Sequence, residues 1–140
     1  MKKSINLLVS VFLSVISLHA QNSKDSIKNL ESTTGAVVTI NENLNIAEFI
    51  RFPHDRALVL NGLTLPEKVF SFLETYKAIF DMSQPDTSFD IGPEKTDIYG
   101  FHHITFSQIY DGIPTYDGKL KFHFNADKEL VSINGKFLPN

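Results

Sequence analysis

The sequence predicts an α+β fold in which one main helix packs against an antiparallel sheet. Residues 65–81 carry apolar side chains at helical spacing, whereas residues 104–110 and 120–124 carry them at every second position. The first pattern gives a helix with one apolar stripe, and the second gives strands with one apolar face. A helix and several such strands bury their apolar sides against each other in two layers.

Composition limits the classes of protein that the chain can belong to. Its 140 residues suggest a single domain of modest size, and twelve Phe within 42% hydrophobic residues predict an aromatic core. Cysteine is absent, so the chain has neither disulfides nor thiolate metal sites. A net charge of -3 without a basic stretch is not typical of nucleic-acid binding.

The N-terminus is typical of a secretory signal peptide. Lys2 and Lys3 precede an apolar run over residues 5–18, and Ala20 offers a small residue for cleavage. We therefore assign residues 1–20 as a signal peptide and expect a secreted or periplasmic protein with no membrane segment after cleavage. Removal of the two lysines changes the net charge from -3 to -5.

The segment that follows, residues 21–34, is polar and mixed in charge. We interpret it as a mobile leader. A short helix through Ile27 and Leu30 is the alternative interpretation. The folded domain is then expected to span residues 35–140.

A hairpin and the main helix are predicted next. The runs 36–40 and 46–52 are strand-like and flank a turn-forming segment at 41–45. Thr64 and Glu67 have the spacing of a capping box, so the helix is expected to run from residue 65 to about 81. The side chains that share its apolar stripe are Val69, Phe72, Leu73, Tyr76, Ile79 and Phe80.

The central hairpin is expected to have its two strands joined by a loop over residues 111–118. The loop contains two Asp-Gly pairs and Pro114, which favour turns. If both apolar sets share one face, Phe106 lies opposite Phe122. After a turn at 125–128, a third strand is expected with Val131 opposite Phe122 on its other side.

The opposite face of this sheet is expected to meet solvent. Lys119, Lys121, His123 and Ser132 have the sequence parity of that face. His103 shares the face as a diagonal neighbour of His123, about 7 Å away. Two imidazoles without a third ligand do not make a zinc site, so no metal or cofactor is predicted for this chain.

Motifs for catalysis are missing from the sequence. It contains no HExxH, no glycine-rich phosphate loop and no Gly-x-Ser-x-Gly elbow. Asp111 and Asp117 each precede Gly, and a role in turns explains them without catalysis. The residues alone therefore indicate an exported binding or structural domain rather than an enzyme.

The C-terminal part resembles a known family, the propeptide motif of secreted zinc metallopeptidases of the thermolysin and fungalysin type. That motif typically shows a Gln, a Tyr, Asn-Gly-Ile-Pro-Val, Gly-Gly-Glu-Leu and a closing Val-Asn-Gly. Asp111 stands for the usual Asn, Thr115 for the Val, and Asp117 and Lys119 alter the second turn. The segments that carry the resemblance are Asp97, Gly100, 103–108, 110–114, 118–120, Asp127 and 131–135.

The resemblance implies a fold, a function and a partner. It implies a cystatin-like curled sheet around a helix, and a propeptide domain that inhibits a zinc protease and acts as its intramolecular chaperone. The partner is then a protease domain in cis or in trans, and the zinc belongs to that domain. The candidate contacts with the partner are Tyr110, Asp111, Ile113, Pro114, Lys119 and Lys121.

Two other functions remain open at this point. The chain could be a stand-alone secreted inhibitor or interaction module of the same fold. A small enzyme on a cystatin-like scaffold, using His and Asp in the cavity of the sheet, is the third interpretation. Fold alone does not decide among them. An HExxH in the reading frame beyond Asn140 would favour the protease precursor, and a stop codon would favour the stand-alone module.

Overall fold

The structure is a computed structural model that describes residues 22–139. Two helices and seven strands make up its regular structure and confirm the predicted α+β class. The helices are α1 (22–34) and α2 (Leu65–Tyr76). The strands are β1 (Val37–Asn41), β2 (Ile46–Arg51), β3 (Phe89–Ile91), β4 (Lys95–Thr96), β5 (His102–Tyr110), β6 (Ile113–Phe124) and β7 (Leu130–Lys136).

All seven strands belong to one antiparallel sheet in the order β1-β2-β7-β6-β5-β3. The short strands β3 and β4 pair with different parts of β5, at residues 106–108 and 102–103 respectively. We call the face that packs against α2 the inner face and the opposite one the outer face. The first predicted hairpin, β1–β2, is confirmed with its turn at residues 42–45.

The core lies between the inner face and the helices, and it is as aromatic as the composition predicts. The ring of Phe72 on α2 meets Phe122 edge-on at 6.4 Å, and Phe106 lies 5.5 Å from Phe122 on the next strand. Edge-to-face pairs of this kind add to the stabilisation that burial of the rings provides. Among the described residues 22–139, six phenylalanines are fully buried: Phe72, Phe80, Phe106, Phe122, Phe124 and Phe137.

Helix α2 begins with the predicted capping box. The Thr64 hydroxyl accepts a hydrogen bond from the Glu67 amide, and the Glu67 carboxylate accepts one from the Thr64 amide. These bonds satisfy amides that have no partner within the helix. The α-helix ends at Tyr76, earlier than expected, and continues as a 3-10 turn over Lys77–Phe80.

Residues 22–34 form helix α1, and this corrects their interpretation as a leader. Ile27 and Leu30 are buried in the core, as the alternative interpretation required. The Ser23 hydroxyl donates to the Asn45 carbonyl at 2.9 Å, which ties α1 to the β1–β2 turn. The predicted signal peptide, residues 1–20, lies outside the described residues. Within residues 22–139, no helix is long and apolar enough to cross a membrane.

The predicted register of the central hairpin was wrong by two residues, although the faces were assigned correctly. Phe122 lies opposite Ile104 and Ile133, rather than opposite Phe106 and Val131. The reason lies in two irregularities that a regular pattern does not reveal. One shifts the register beyond Ser107, and the other lies at Val131 on β7, whose side chain leaves the core.

Candidate functional site

The tip of the β5–β6 hairpin is a tight turn. The two central residues, Asp111 and Gly112, both have positive φ (49° and 77°), as a type I′ turn requires. The flanking residues Tyr110 and Ile113 pair across the hairpin, and 55% and 69% of their surfaces are exposed. Large apolar side chains at such a tip are available for contact with another protein.

A bulge follows the turn on β6. Residues 115–118 have only Gln108 opposite them, because the pairing passes from Ile109 with Pro114 directly to Ser107 with Lys119. The predicted loop at 111–118 is therefore two features: a two-residue turn and a four-residue bulge within a continuous strand. Tyr116 on this bulge is almost fully exposed.

The Gln108 side chain holds the backbone that follows β7 through two hydrogen bonds with Leu138, which we call the clamp. It is 1% exposed, its Nε2 donates to the Leu138 carbonyl at 2.7 Å, and its Oε1 accepts from the Leu138 amide at 2.9 Å. A Cβ atom at Gly118 would lie only 2.7 Å from the Gln108 Cβ. Glycine at position 118 therefore leaves the space in which Gln108 reaches the backbone beyond β7.

A second glycine fixes the contact between β6 and β7. Gly135 has φ of +138°, and a Cβ atom there would lie 2.0 Å from the Lys119 carbonyl oxygen. Only glycine allows this close approach. Asn134-Gly135 thus continues the sheet next to the lysines of β6 instead of ending it.

The outer face carries a row of hydrogen-bonded polar side chains, Asp97, His103, His123 and Asn134, which we call the His row. Asp97 Oδ2 lies 3.1 Å from His103 Nε2, His103 Nδ1 lies 2.7 Å from His123 Nδ1, and His123 Nε2 lies 2.6 Å from Asn134 Oδ1. The two histidines are direct cross-strand partners, which corrects the expected diagonal separation of about 7 Å.

The inventory of protons in this row, meaning which nitrogen atoms donate and which accept, follows from its hydrogen-bond acceptors. With the Asn134 side-chain oxygen facing His123, it accepts a hydrogen bond from His123 Nε2, so a neutral His123 offers Nδ1 as an acceptor to His103. His103 then donates to His123 Nδ1 and to the Asp97 carboxylate. If the Asn134 amide is rotated, its nitrogen donates to His123 Nε2, His123 Nδ1 donates to His103 Nδ1, and His103 Nε2 donates to Asp97. All hydrogen bonds of the row are then made with one proton fewer. Two imidazolium rings would place two N–H groups against each other.

The pKa shifts of two groups, His123 and Asp97, agree with this inventory. Burial lowers the pKa of His123, the hydrogen bond with Asn134 opposes this shift, and the charges of His103 and Lys121 add to it. Partial burial raises the pKa of Asp97, but hydrogen bonds from the Phe101 amide, His103 and the Tyr99 amide outweigh it and lower the pKa. The row therefore favours a charged Asp97 and a neutral His123.

The observed hydrogen bonds of this row stabilise the local fold. Asp97 Oδ1 also accepts hydrogen bonds from the amides of Tyr99 and Phe101, so this carboxylate holds the turn that leads into β5. Within residues 22–139, no group of three or more side chains is arranged to hold a metal ion. The His–Asp contact lies on the open outer face, not in the cavity that an enzyme on this scaffold was expected to use.

The predicted contact residues fall into two groups. Tyr110, Asp111, Ile113 and Pro114 come together at the hairpin tip, and all four are exposed. The second group, Lys119 and Lys121, lies further along β6 on the outer face, also exposed. Sequence reasoning missed the clamp between Gln108 and Leu138, whose two residues are 30 positions apart.

Residues 94–137 match the family model described as Fungalysin/Thermolysin Propeptide Motif. The match begins at Glu94, next to β4, and ends at Phe137, so it includes the hairpin, the bulge and the His row. The chain therefore carries the propeptide motif of these zinc metallopeptidases, as the resemblance predicted. No curated protein matches the chain.

Proposed function

We propose that this chain supplies the propeptide domain of a secreted thermolysin- or fungalysin-type zinc metalloprotease, and that it inhibits the protease and assists its folding. In this proposal residues 1–20 direct export. The zinc belongs to the protease domain, because the 140 residues contain no HExxH and a propeptide motif fits a non-catalytic part of a precursor. The protease acts as partner in cis or in trans.

One observation carries the proposal: the family motif coincides with a hairpin that has an exposed apolar tip on a tightly fixed frame. Gln108, Gly118 and Gly135 fix the frame through buried contacts. A surface that is already ordered before binding loses little conformational entropy when a partner docks. The same preformed surface can serve as a template for a protease domain that folds slowly.

The contact surface that we propose has an apolar and a cationic part. Tyr110 and Ile113 supply large apolar side chains at the tip, with Asp111 and Pro114 in and beside the turn. Lys119 and Lys121 extend the surface along the outer face of β6. Aromatic side chains at the centre of an interface commonly provide much of its binding energy.

A pull-down with a double variant tests the contact surface. Purified protein with Tyr110→Ala and Ile113→Ala is compared with wild type for binding to one mature protease of the thermolysin type and one of the fungalysin type. Loss of two central apolar contacts is expected to weaken binding by roughly 2–4 kcal/mol. Binding of the double variant at wild-type strength would refute the assignment of the hairpin tip.

A matched control exists in the same chain. Ile98 and Tyr99 are also exposed, at 91% and 79%, and they lie in the turn before β5, away from the hairpin tip. The double variant Ile98→Ala and Tyr99→Ala removes the same two kinds of side chain. It is expected to bind as wild type does. An equal loss in both double variants would mean that general surface hydrophobicity, not the tip, drives binding.

A further inference from the structure

The outer face has a cleft at the end of the sheet that lies away from the hairpin tip. Strand β5 begins beside it and runs to the tip, and β6 returns to it at Phe124. The cleft has a volume of 750 Å³, which is within the range of sites that bind ligands or side chains of a partner. Its walls are Gly35, Val37, Phe49, Arg51, Phe52, Pro53, His54, Phe101, Asn125, Val131 and Ser132.

Apolar side chains form much of this cleft, and several are open to solvent. Val37 on β1, Phe49 on β2 and Phe101 before β5 are 57%, 40% and 36% exposed. They do not scatter over the surface, because all three face the same concavity as Pro53 and Val131. The displacement of Val131 by the irregularity at the start of β7 adds it to this wall. A concave apolar surface of this kind marks a binding site more often than scattered exposed residues do.

Two arginines supply positive charge at the cleft. Arg51 lines it together with the polar side chain of His54, whereas none of its walls is Asp or Glu. The Arg56 guanidinium lies beside it, because a Cβ atom at the wall residue Gly35 would meet Arg56 Nη2. Throughout the described range 22–139, neither arginine forms an ion pair with a carboxylate. A guanidinium without a protein partner is suited to bind a carboxylate through two parallel hydrogen bonds.

The acidic side chain beside the wall residue Asn125 is already engaged, whereas Asp55, between His54 and Arg56 in the chain, forms no ion pair within residues 22–139. Glu129 follows the β6–β7 turn, and its carboxylate accepts a hydrogen bond from the Asn125 amide group at 2.8 Å. The Asn125 oxygen in turn accepts from the Glu129 backbone amide. This exchange holds the turn, and neither Arg51 nor Arg56 takes part in it. The cleft is thus apolar and cationic in a protein whose net charge is -3.

We propose that this cleft binds an extended segment of a partner protein in which a large apolar side chain is flanked by Asp or Glu. The apolar walls fit the central side chain. The cations are Arg51 on β2 and Arg56 in the turn that follows β2, so they match carboxylates on either side of this central side chain. The site is independent of the hairpin tip and extends the proposed function with a second contact surface.

A titration with short peptides tests the site on the purified protein. The probe is Ac-Gly-Glu-Phe-Asp-Gly-NH2, and binding is followed by the backbone amide signals in ¹H–¹⁵N NMR spectra. Signals of Val37, Phe49, Arg51, Phe101 and Ser132 are expected to shift, while those at the hairpin tip stay unchanged. Two control peptides separate the contributions: Ac-Gly-Gln-Phe-Asn-Gly-NH2 lacks the charges, and Ac-Gly-Glu-Ala-Asp-Gly-NH2 lacks the ring. Each control is expected to bind more weakly than the probe.

Matched single variants assign the binding to the cleft. Arg51→Gln is expected to weaken binding of the probe about tenfold, which is the effect of one hydrogen-bonded charge pair. Lys95→Gln removes one positive charge from β4, outside the cleft, and is expected to change the affinity little. Both positions are exposed, so both variants are expected to fold, and their NMR spectra show directly whether they do.

Three kinds of result would overturn the proposal. One is the absence of shifts at the cleft with the probe at millimolar concentration. Another is equal binding of all three peptides or equal losses in the two variants. The third is binding to phosphatidylglycerol vesicles, lost in Arg51→Gln, without binding to the peptide, because that result would make the cleft a lipid-binding surface. Failure of the protein to bind a protease would leave the peptide result standing.

Discussion

Gln108 is a buried amide whose two polar ends both bind the backbone of Leu138. Its position on the inner face follows from the alternating pattern of β5, which the sequence shows. Its partner does not follow from any pattern, because Leu138 comes within reach only through the bulge at 115–118 and the path of β7. The inner-face position of Gln108 was therefore predictable, whereas its hydrogen bonds with Leu138 were not.

Replacement of Gln108 by Leu is expected to lower the free energy of unfolding by roughly 1–3 kcal/mol, because the Leu138 amide and carbonyl lose their partners. Urea unfolding of the purified protein measures this change. Gln84→Leu, at an exposed glutamine, is the control and is expected to stay within about 0.5 kcal/mol of wild type. Equal stability of Gln108→Leu and wild type would contradict the clamp.

Protonation of His123 is expected to make the stability of the domain depend on pH. Its pKa is lowered from the ordinary value of 6.5, first by burial, so below that pH the unfolded chain takes up a proton more readily than the folded one. Stability is therefore expected to fall as the pH drops below about 6.5 and to be fully present above it. The Asp97 pKa is also lowered, so the stability that Asp97 contributes is lost only in stronger acid, below its ordinary value of 3.8.

Urea midpoints between pH 8 and pH 5 test this dependence. The loss of stability is expected to be smaller in His123→Gln than in wild type, because that variant has no proton to take up at this position. His54→Gln, at an exposed histidine, is expected to keep the wild-type slope. Identical slopes in all three proteins would show that the His row does not titrate as proposed.

Among the elements, those built from local signals were predicted best. The capping box of α2 is a contact between residues three positions apart, and it is present as expected. The pairing register of the strands was harder to predict, because it depends on irregularities within the strands. The parity of β5 and β6 assigned the faces correctly, but the turn at 111–112 and the bulge at 115–118 moved the pairing by two residues. Helix α1 has only a few buried apolar residues, too few to stand out in a polar segment.

The N-terminus of α2 is expected to depend on its cap. Thr64→Ala removes the hydrogen bond to the Glu67 amide and is expected to lower the free energy of unfolding by about 1 kcal/mol. Thr75→Ala is the matched control, since the Thr75 hydroxyl bonds only to the carbonyl of Ser71 in the same helix. Chemical unfolding followed by circular dichroism compares the two. A larger loss from Thr75→Ala would contradict the role of the cap.

The junction of β6 and β7 is expected to tolerate no side chain at position 135. Gly135→Ala combines positive φ with a clash against the Lys119 carbonyl and is expected to destabilise by roughly 3 kcal/mol or more. Gly112→Ala has positive φ as well, but no atom within 4 Å, so a loss of only about 1 kcal/mol is expected. Equal losses in the two variants, measured by urea unfolding, would show that the close approach does not matter.

At the scale of the whole molecule, the two ends of the sheet have different surfaces. The hairpin tip presents Tyr110 and Ile113 on a frame that the family motif builds. The far end holds the apolar and cationic cleft around Phe49 and Arg51. The sequence predicted the α+β class, and it placed the candidate contact residues in a turn-rich, exposed segment, where their role in binding stays a prediction. It did not predict the cleft, since that site combines residues from β1, β2, β7 and four connecting segments.

The central claim is that the chain acts on a zinc protease as a folding template and inhibitor. The measurement that tests it most directly is the yield of active enzyme when a denatured thermolysin- or fungalysin-type protease refolds with the purified chain added in trans, after which excess chain is titrated into the active enzyme. We expect a higher yield than without the chain, and then inhibition that the Tyr110→Ala and Ile113→Ala double variant weakens. An unchanged yield together with an uninhibited protease would contradict the account.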